Sequence, residues 1–174
     1  VKILHRSWRG RCDSLYFSGI DSSFLLFGRP VLWADSSQLT GDTVQLVLEH
    51  KALKDLLLYP GAFIINRELA GVDNQIKGRT VHARFAEKRM RTVEVAGNAE
   101  SLYFIRDDAS GFVGANVIQC SQMEFVFNDE RKIRHIDFFT KPTGTMLPVQ
   151  EGLLRKLEGY LPRYGERPDT LESI

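Results

Sequence analysis

The sequence predicts an all-β protein, a repetitive, solenoid-like stack of antiparallel strands with a short helix near its C-terminus. Two observations predict the stack. Apolar and polar residues alternate in short runs bounded by Gly and Pro, and the same order of runs recurs four times. A third observation, the change to helical spacing after Pro148, predicts the helix. Four copies of one pattern indicate a repetitive fold more specifically than a single alternating run, which many sheets contain.

Residues 41–65 contain the clearest copy of the repeating unit. An alternating run ends at Leu48, and a polar turn follows at residues 49–51. A second run ends at residues 59–61, where Pro and Gly interrupt it, and a third run begins directly afterwards. The unit is therefore predicted to be strand, turn, strand, bend and strand.

One parity of these runs is apolar in every copy, so each strand is predicted to have one apolar face and one mixed face. Stacked repeats bury a continuous apolar interior that no single repeat buries alone. That interior is either a closed core or a groove that accepts lipid, and the pattern leaves both open. The apolar parity comprises Leu15, Phe17, Phe24, Leu26, Val44, Leu46, Leu48, Leu56, Leu58, Val81, Phe85, Val93, Val95, Met123, Phe125, Phe127, Ile136 and Phe138. The opposite parity comprises Gln45, His82, Arg84, Glu94, Glu124 and Asp137.

The two cysteines occupy equivalent repeat positions. Cys12 and Cys120 stand where the other two copies have Gly41 and Gly78. A small residue at a strand start accounts for all four positions without a redox or metal-binding role. A Cys12–Cys120 disulfide is the alternative.

The ends of the repeats suggest how the chain is divided. Residues 1–9 are predicted to complete an earlier repeat, with Trp8 packing over its end. Because the sequence opens inside a repeat, we expect it to be cut from a longer protein whose targeting segment lies outside it. The remaining part of that first repeat is then expected before residue 1.

Two segments interrupt the regular copies. Residues 68–74 are interpreted as a polar connector, and residues 102–118 as an extended hairpin inserted between the third and fourth copies. The turn of that hairpin is predicted at residues 107–111. Its acidic pair, Asp107 and Asp108, is typical of a turn rather than of a metal site.

The tail is predicted to begin with an amphipathic helix between Pro148 and Pro162. Leu153, Leu157 and Leu161 recur at helical spacing there. We therefore divide the chain into a β-domain of residues 1–147 and a helix with a tail at residues 148–174. Because the ends of a solenoid expose core, the helix is expected to cap the open end of the stack. The alternative is a docking element for a partner.

Composition excludes several classes of protein. Lys and Arg total 23 and Asp and Glu total 22, whereas a nucleic-acid-binding protein normally carries a basic stripe. No apolar run approaches the roughly 20 residues of a membrane-spanning helix. The four histidines have no metal-ligand spacing, and no phosphate loop or nucleophile elbow occurs. We therefore predict no catalytic residues, no metal site and no cofactor.

The repeat pattern resembles the OstA-like, or LptA-like, family. Residues 38–43, 75–80 and 93–99 carry the resemblance, in the segments QLTGDT, QIKGRT and VEVAGNA. It covers roughly residues 10–145, and its form is most similar to the long OstA-like proteins of the Bacteroidetes type. The short helix followed by Arg167 and Pro168 is also similar to that form.

The resemblance implies an open, folded-over β-jellyroll in the periplasm of a Gram-negative cell. Its apolar interior would carry the acyl chains of lipopolysaccharide, so the apolar-parity residues given above would line the groove. Family members stack through strand edges to form a bridge towards the outer membrane. The implied partners are therefore lipopolysaccharide or a related lipid, other lipopolysaccharide-transport proteins, and further copies of the chain.

Two other functions compete with lipid transport. A carbohydrate-active enzyme on a β-solenoid would need carboxylates that converge on an outward face, and the mixed parities show no such recurrent cluster. A purely structural solenoid would have a dry, closed interior. Recovery of an amphiphile from the purified protein would favour the transport function over both.

Overall fold

The computed structural model describes residues 1–109 and 111–169 and contains one antiparallel sheet folded into two layers. The strands in chain order are β1 (Lys2–Leu4), β2 (Trp8–Arg11), β3 (Ser14–Ser18), β4 (Ser23–Phe27), β5 (Val31–Ala34), β6 (Ser37–Thr40), β7 (Thr43–Glu49), β8 (Ala52–Tyr59), β9 (Ala62–Leu69), β10 (Val72–Gly78), β11 (Thr80–Ala86), β12 (Arg89–Asp107), β13 (Gly111–Phe127), β14 (Ile133–Phe139) and β15 (Thr143–Leu147). A short helix, α1 (Val149–Leu154), and a 3₁₀ turn (Tyr164–Glu166) follow. This architecture confirms the predicted fold class.

Two long strands join the layers. β12 pairs with β11 through residues 89–96 and with β10 through residues 100–102, so the sheet folds over along this strand. Layer one contains β3, β4, β7, β8, β11, β14 and the adjoining halves of β12 and β13. Layer two contains β1, β2, β5, β6, β9, β10, β15 and the other halves of β12 and β13. We call the edge where the chain crosses between layers the crease, and the opposite edge, lined by hairpins, the mouth.

The crease is built from a recurring corner. A residue that enters layer one donates its backbone N–H to a carbonyl across the corner. These bonds are Asp13 to Phe27 at 3.0 Å, Asp42 to Pro60 at 3.0 Å and Arg79 to Gly97 at 2.9 Å. Gly97 has φ +83°, and a Cβ there would lie 2.7 Å from the Cβ of Arg79. The predicted bends at small residues and prolines are therefore confirmed, and a glycine is required where two corner strands approach closely.

Both cysteines lie at the crease, as their equivalence with glycines predicts. Cys12 is buried, Cys120 is half-buried, and both thiols are free, so the disulfide alternative is wrong. Burial raises the pKa of the Cys12 thiol, which keeps it protonated. Space is short at the equivalent Gly78, where a Cβ would lie 2.6 Å from Val95. Small side chains are therefore a packing requirement of the corner.

The turn predicted at residues 49–51 is confirmed, and a second hairpin of layer one has the same geometry. β7 and β8 are joined through His50 and Lys51, whose φ angles are 51° and 62°. Glu87 and Lys88 join β11 and β12 with φ angles of 53° and 62°. Two consecutive positive φ angles match the twist of the flanking strands, as in a type I′ turn.

Two sequence interpretations are wrong. Residues 68–74 are the ends of β9 and β10 around a tight turn rather than a connector. Residues 102–118 do form the predicted extended hairpin, but as the layer-two halves of β12 and β13 rather than as an insertion, and Ser110 of the predicted turn lies outside the described residues. At residues 68–74 backbone pairing outweighs the polarity of the side chains. The hairpin is therefore an ordinary member of the stack in which the corner does not interrupt the strands.

The tail differs from the predicted helix in length and in place. α1 ends at Leu154, and Arg155 is already extended at φ −75° and ψ 128°. The chain then crosses the outer face of layer two instead of capping an end of the stack. Gly152 presses the helix onto that face, since a Cβ there would lie 2.7 Å from the Cβ of Ala115. The division at residue 147 stays a prediction, and residues 170–174 of the predicted tail lie outside the described residues.

Candidate functional site

The interior between the layers is a single apolar cluster. Layer one contributes residues of the predicted apolar parity. Layer two contributes Leu32, Leu39, Ile64 and Ile76, which face them. The cluster is continuous from β4 to β13, so apolar side chains of the two layers contact each other along the stack.

The predicted groove residues divide into three groups by position. The buried group occupies the first two inward-facing positions from the crease on strands from β4 to β13 and comprises Leu26, Val44, Leu46, Leu56, Leu58, Val81, Val93, Val95, Met123 and Phe125. The half-buried group lies towards the mouth or the ends and comprises Phe24, Leu48, Phe85, Phe127, Ile136 and Phe138. Leu15 and Phe17 on β3 are 39% and 54% exposed. The same apolar face is therefore closed near the crease and more exposed to solvent at the mouth and at the end strands.

Each layer-one hairpin brings a pair of apolar residues to the mouth. Leu48 pairs with Leu53, Phe85 with Met90, and Phe127 with Ile133. A shift in strand register lies directly before the first residue of each pair. Such bulges twist and bend a strand locally. We call these six half-buried residues the apolar lip.

Sequence reasoning missed the layer-two wall of the interior. Ile64 follows the bend after Pro60, and the sequence pattern predicts it only as part of the third strand of the unit. The parity itself was a usable signal, because Ala62, Ile64 and Asn66 alternate on one face of β9. The sequence did not indicate that this face turns back onto Leu56 and Leu58, because the residues at a bend do not specify the angle between the strands that it joins.

The outer face of layer one is polar, as the opposite parity predicts. His82 Nε2 lies 2.7 Å from Asp55 Oδ1. Register also places Glu94, Glu124 and Asp137 side by side on adjacent strands. The sequence interpretation that these parities hold no carboxylate cluster is therefore wrong. The row nevertheless lies on the solvent side of the sheet, and no group of residues in the described ranges has an arrangement that could hold a metal ion.

The outer face of layer two is covered by residues 155–169, which we call the strap. This face has its own apolar cluster, and Leu157, Leu153, Tyr160 and Tyr164 pack against it. The strap crosses the strands from β13 towards β2, where Glu166 lies 3.7 Å from Arg11. An apolar sheet face that would otherwise contact water is thereby buried.

Two glutamines hold the strap by the same geometry. Gln75 Nε2 donates to the carbonyl of Arg155 at 3.1 Å, and Leu157 N–H donates to Gln75 Oε1 at 2.8 Å. Gln38 Nε2 donates to the carbonyl of Leu161 at 2.9 Å, and its Oε1 accepts the N–H of Arg163 at 2.6 Å. Both amides thus bind the carbonyl of one residue and the N–H of the second residue after it. This pairing explains why the helix ends before Arg155, because the strap backbone is bonded to the sheet.

A buried ion pair provides a third attachment. Arg67 donates to both oxygens of Asp73 at 2.8 and 3.0 Å, and the Tyr160 hydroxyl donates to Asp73 at 2.6 Å. Burial opposes ionisation of Asp73, but the hydrogen bonds from Arg67 and Tyr160 outweigh it and lower the pKa of the carboxyl. Burial, together with its bond to Asp73, raises the pKa of Tyr160 to about 12. Burial and the charge of Asp73 likewise raise the pKa of Tyr164 to about 12.

The concave sites at the crease are small and polar. One of about 110 Å³ lies between Arg11, Asp13 and Arg29, and another of about 180 Å³ lies beside Thr40 and Asp42. Neither is part of the interior. The helices of the described residues are too short to cross a membrane.

Comparison with solved structures identifies a similar fold. The structure is similar to that of LptH, the LptA-homologous periplasmic component of the lipopolysaccharide transport device of Pseudomonas aeruginosa, with a TM-score of 0.59. The two share 14% sequence identity over 80% of this chain and 93% of that one. No protein-family profile matches the sequence. No curated protein matches it either. The chain therefore has an LptA-like fold, although its sequence shares little identity with that of LptH.

Proposed function

We propose that this chain is a periplasmic module of lipopolysaccharide transport that carries acyl chains between its two layers. One observation carries the proposal: the apolar interior of an LptA-like fold continues unsealed to the half-buried apolar lip and to the exposed Leu15 and Phe17. Apolar surface that contacts water favours an apolar ligand, and each buried methylene contributes about 0.8 kcal/mol. No specific polar contact is needed for such a chain to bind. The residues of the predicted groove are proposed as its lining.

A structural scaffold is the second candidate. It is favoured by the complete burial of the interior next to the crease, where Val44, Leu58 and Met123 are 0% exposed. A chain that entered there would have to displace contacts between the layers. In the transport function the layers part at the mouth, whereas in the scaffold they stay closed.

Photo-crosslinking at matched neighbours distinguishes the two candidates. A photoreactive residue replaces Leu48, Phe85 or Phe127 on the interior parity, and Gln45 or Glu124 on the outer parity. Since side chains alternate between faces with period two, the outer positions control for labelling from solvent. After irradiation with lipopolysaccharide, the transport function predicts adducts at the interior set only. Absence of adducts at every position would support the scaffold, and equal labelling of both sets would contradict an interior site.

Assembly through strand edges is proposed as part of this function. β1 and β3 at one end pair on one side only within the described chain, as do β14 and β15 at the other. Val1 and Cys12 exchange both backbone hydrogen bonds. By the alternation of antiparallel pairs, Lys2 then directs its N–H away from β2. An unpaired edge of this kind accepts another strand.

Proline at Lys2 tests this assembly directly. Lys2→Pro removes an outward donor and leaves the β1–β2 pair intact, so it should weaken concentration-dependent self-association in sedimentation. Ile3→Pro is the contrasting variant, because Ile3 bonds to β2 and its loss should disrupt the hairpin itself. A strict monomer at all concentrations would exclude stacking without excluding lipid binding.

The remaining parts of the proposal follow from the similar protein. LptH is a periplasmic component of a lipopolysaccharide transport device. We accordingly place this chain in the periplasm, with lipopolysaccharide or a related lipid and other transport components as partners, and assign it no catalytic step. Membership of the Bacteroidetes-type form is likewise proposed. Mass spectrometry of lipid extracted from the protein, expressed beside lipopolysaccharide, tests the ligand.

A further inference from the structure

The two walls of the mouth differ in polarity. On layer one, the third inward-facing residues from the crease form the apolar lip. On layer two, the inward parity begins with apolar residues such as Ile64 and Ile76, but at the third step it becomes polar on β6, β9, β10, β12 and β13. Ser37 pairs with Asn66, Asn66 with Asn74, and Tyr103 with Asn116. We call these five residues the polar lip.

Both lips lie at the same number of steps from the crease, so they face each other across the mouth. Leu48 follows Val44 and Leu46 on β7, as Asn66 follows Ala62 and Ile64 on β9. With a rise of about 3.3 Å per residue, equal step counts give similar distances from the fold line. An amphiphile that enters the mouth therefore meets apolar side chains on one wall and amides on the other.

Part of the polar lip is occupied by its own hydrogen bonds. Asn66 donates to Ser37 at 3.0 Å, and Asn74 donates to Asn66 at 3.3 Å and to Glu68 at 3.2 Å. The other part has spare capacity. Among the described residues, no side-chain hydrogen bond joins Asn116 or the Tyr103 hydroxyl to a partner, and both residues are half-buried. Burial and the nearby charge of Glu68 raise the pKa of Tyr103, so its hydroxyl stays a neutral donor.

The lip carries no cationic side chain. Arg67, the neighbour of Asn66, points to the outer face and is bound to Asp73. A phosphate or carboxylate would therefore find hydrogen bonds but no counter-charge, and would meet Glu68. Uncharged hydroxyl and amide groups suit this wall better, since neutral amides and phenols both donate to and accept from them.

We propose that the mouth selects amphiphiles whose head-to-chain junction is uncharged and hydrogen-bonding, as in an acylated sugar. The acyl chain lies along the apolar lip, and the junction bonds to Asn116 and Tyr103 on the polar lip. This inference rests on the proposed lipid-carrying function and adds the orientation of the lipid and the residues that set its specificity.

Two probes with the same chain and different heads test the inference. Dodecyl maltoside has an uncharged hydroxyl-rich head and dodecanoate an anionic one. Each is titrated calorimetrically into the full chain below its micelle-forming concentration. Tyr103→Phe and Asn116→Leu each remove one polar group, and each new side chain is similar in shape to the one it replaces. Each should raise the Kd for dodecyl maltoside roughly threefold to tenfold, the change expected from one neutral hydrogen bond, and leave dodecanoate within about twofold.

A reciprocal variant separates head contacts from chain contacts. Leu48→Asn places an amide on the apolar lip and should weaken both probes to a similar extent. Circular dichroism and a melting curve verify that each variant is folded. If Asn116→Leu is not folded, Tyr103→Phe alone provides the test. If dodecyl maltoside binds with unchanged Kd to the folded Tyr103→Phe protein, or if both probes change equally, the inference is wrong while the proposed function stands. If neither probe nor lipopolysaccharide binds the unmodified protein, the proposed function itself fails.

Discussion

Replacing Gln75 by methionine isolates the hydrogen bonds that hold the strap. Gln75 is 1% exposed, and its amide contacts the carbonyl of Arg155 and the N–H of Leu157. Methionine has nearly the same length and volume, so the substitution leaves little cavity and retains the apolar contacts of the stem. The loss is then confined to two hydrogen bonds.

The two bonds differ in what their loss costs. Leu157 is 5% exposed, so its N–H would be left buried without a partner, which costs about 1–3 kcal/mol. Arg155 is an exposed residue and the bond to its carbonyl is only partly buried, so that bond is worth only about 0.5–1.5 kcal/mol. The sum, about 1.5–4.5 kcal/mol, should appear as destabilisation of the strap relative to the sheet.

Native-state hydrogen exchange at the Leu157 amide measures this directly. A loss of about 2 kcal/mol corresponds to exchange roughly 30-fold faster, while amides of layer one, such as Val44, should change little. Gln119→Met is the matched control, because Gln119 lies exposed on β13. Unchanged exchange at Leu157 in Gln75→Met, or an equal increase at Val44, would refute the assignment of Gln75 as a local attachment of the strap.

Three further predictions concern the crease and the strap. Replacing Cys12 and Cys120 together by alanine should leave a folded, soluble protein with a loss of about 1–2 kcal/mol in urea unfolding, because both thiols are free and only Cys12 is fully buried. Gly97→Ala should cost more than Gly71→Ala by about 1–3 kcal/mol. Both have φ +83°, but only at Gly97 is the Cβ position occupied by a neighbour. The folded-state pKa of Tyr160, about 12, exceeds its unfolded value of about 10. The contribution of Tyr160 to the free energy of unfolding is therefore present below pH 10 and lost as the pH rises towards 12. Tyr160→Phe should reduce that loss of stability, as measured by urea titrations at successive pH values.

Each of these predictions has an outcome that would contradict it. A loss of several kcal/mol in the double cysteine variant would point to a disulfide that the structure lacks. Equal destabilisation by Gly97→Ala and Gly71→Ala would mean that backbone strain alone, rather than crowding at the corner, requires glycine. An unchanged fall of stability above pH 10 in Tyr160→Phe would assign that fall to other groups.

Layer one, its turns and its corners follow from local patterns in the sequence. Alternation with period two identifies which residues of β7, β8, β11 and β13 face inward, because neighbouring side chains of a strand point to opposite faces. The corner residues were equally readable, since Pro60 separates β8 from β9 and Gly97 marks the register shift within β12, both for local steric reasons. These features depend only on neighbours in the chain. Every residue of the predicted lining except Leu15 and Phe17 is at least half-buried.

How the two layers meet and where the tail lies depend on contacts between residues that are distant in the sequence. Leu153 and Leu157 have helical spacing, yet the chain leaves the helix at Arg155, because Gln75, 80 residues earlier in sequence, bonds to its carbonyl. The polar lip is likewise not apparent in the sequence, since Asn66, Asn74 and Asn116 are unrelated positions there until strand register aligns them. Hydrogen bonds between distant residues gain their strength from burial, which exists only after the sheet has folded over. Local pattern therefore specifies the strands, and long-range pairing specifies the strap and the mouth.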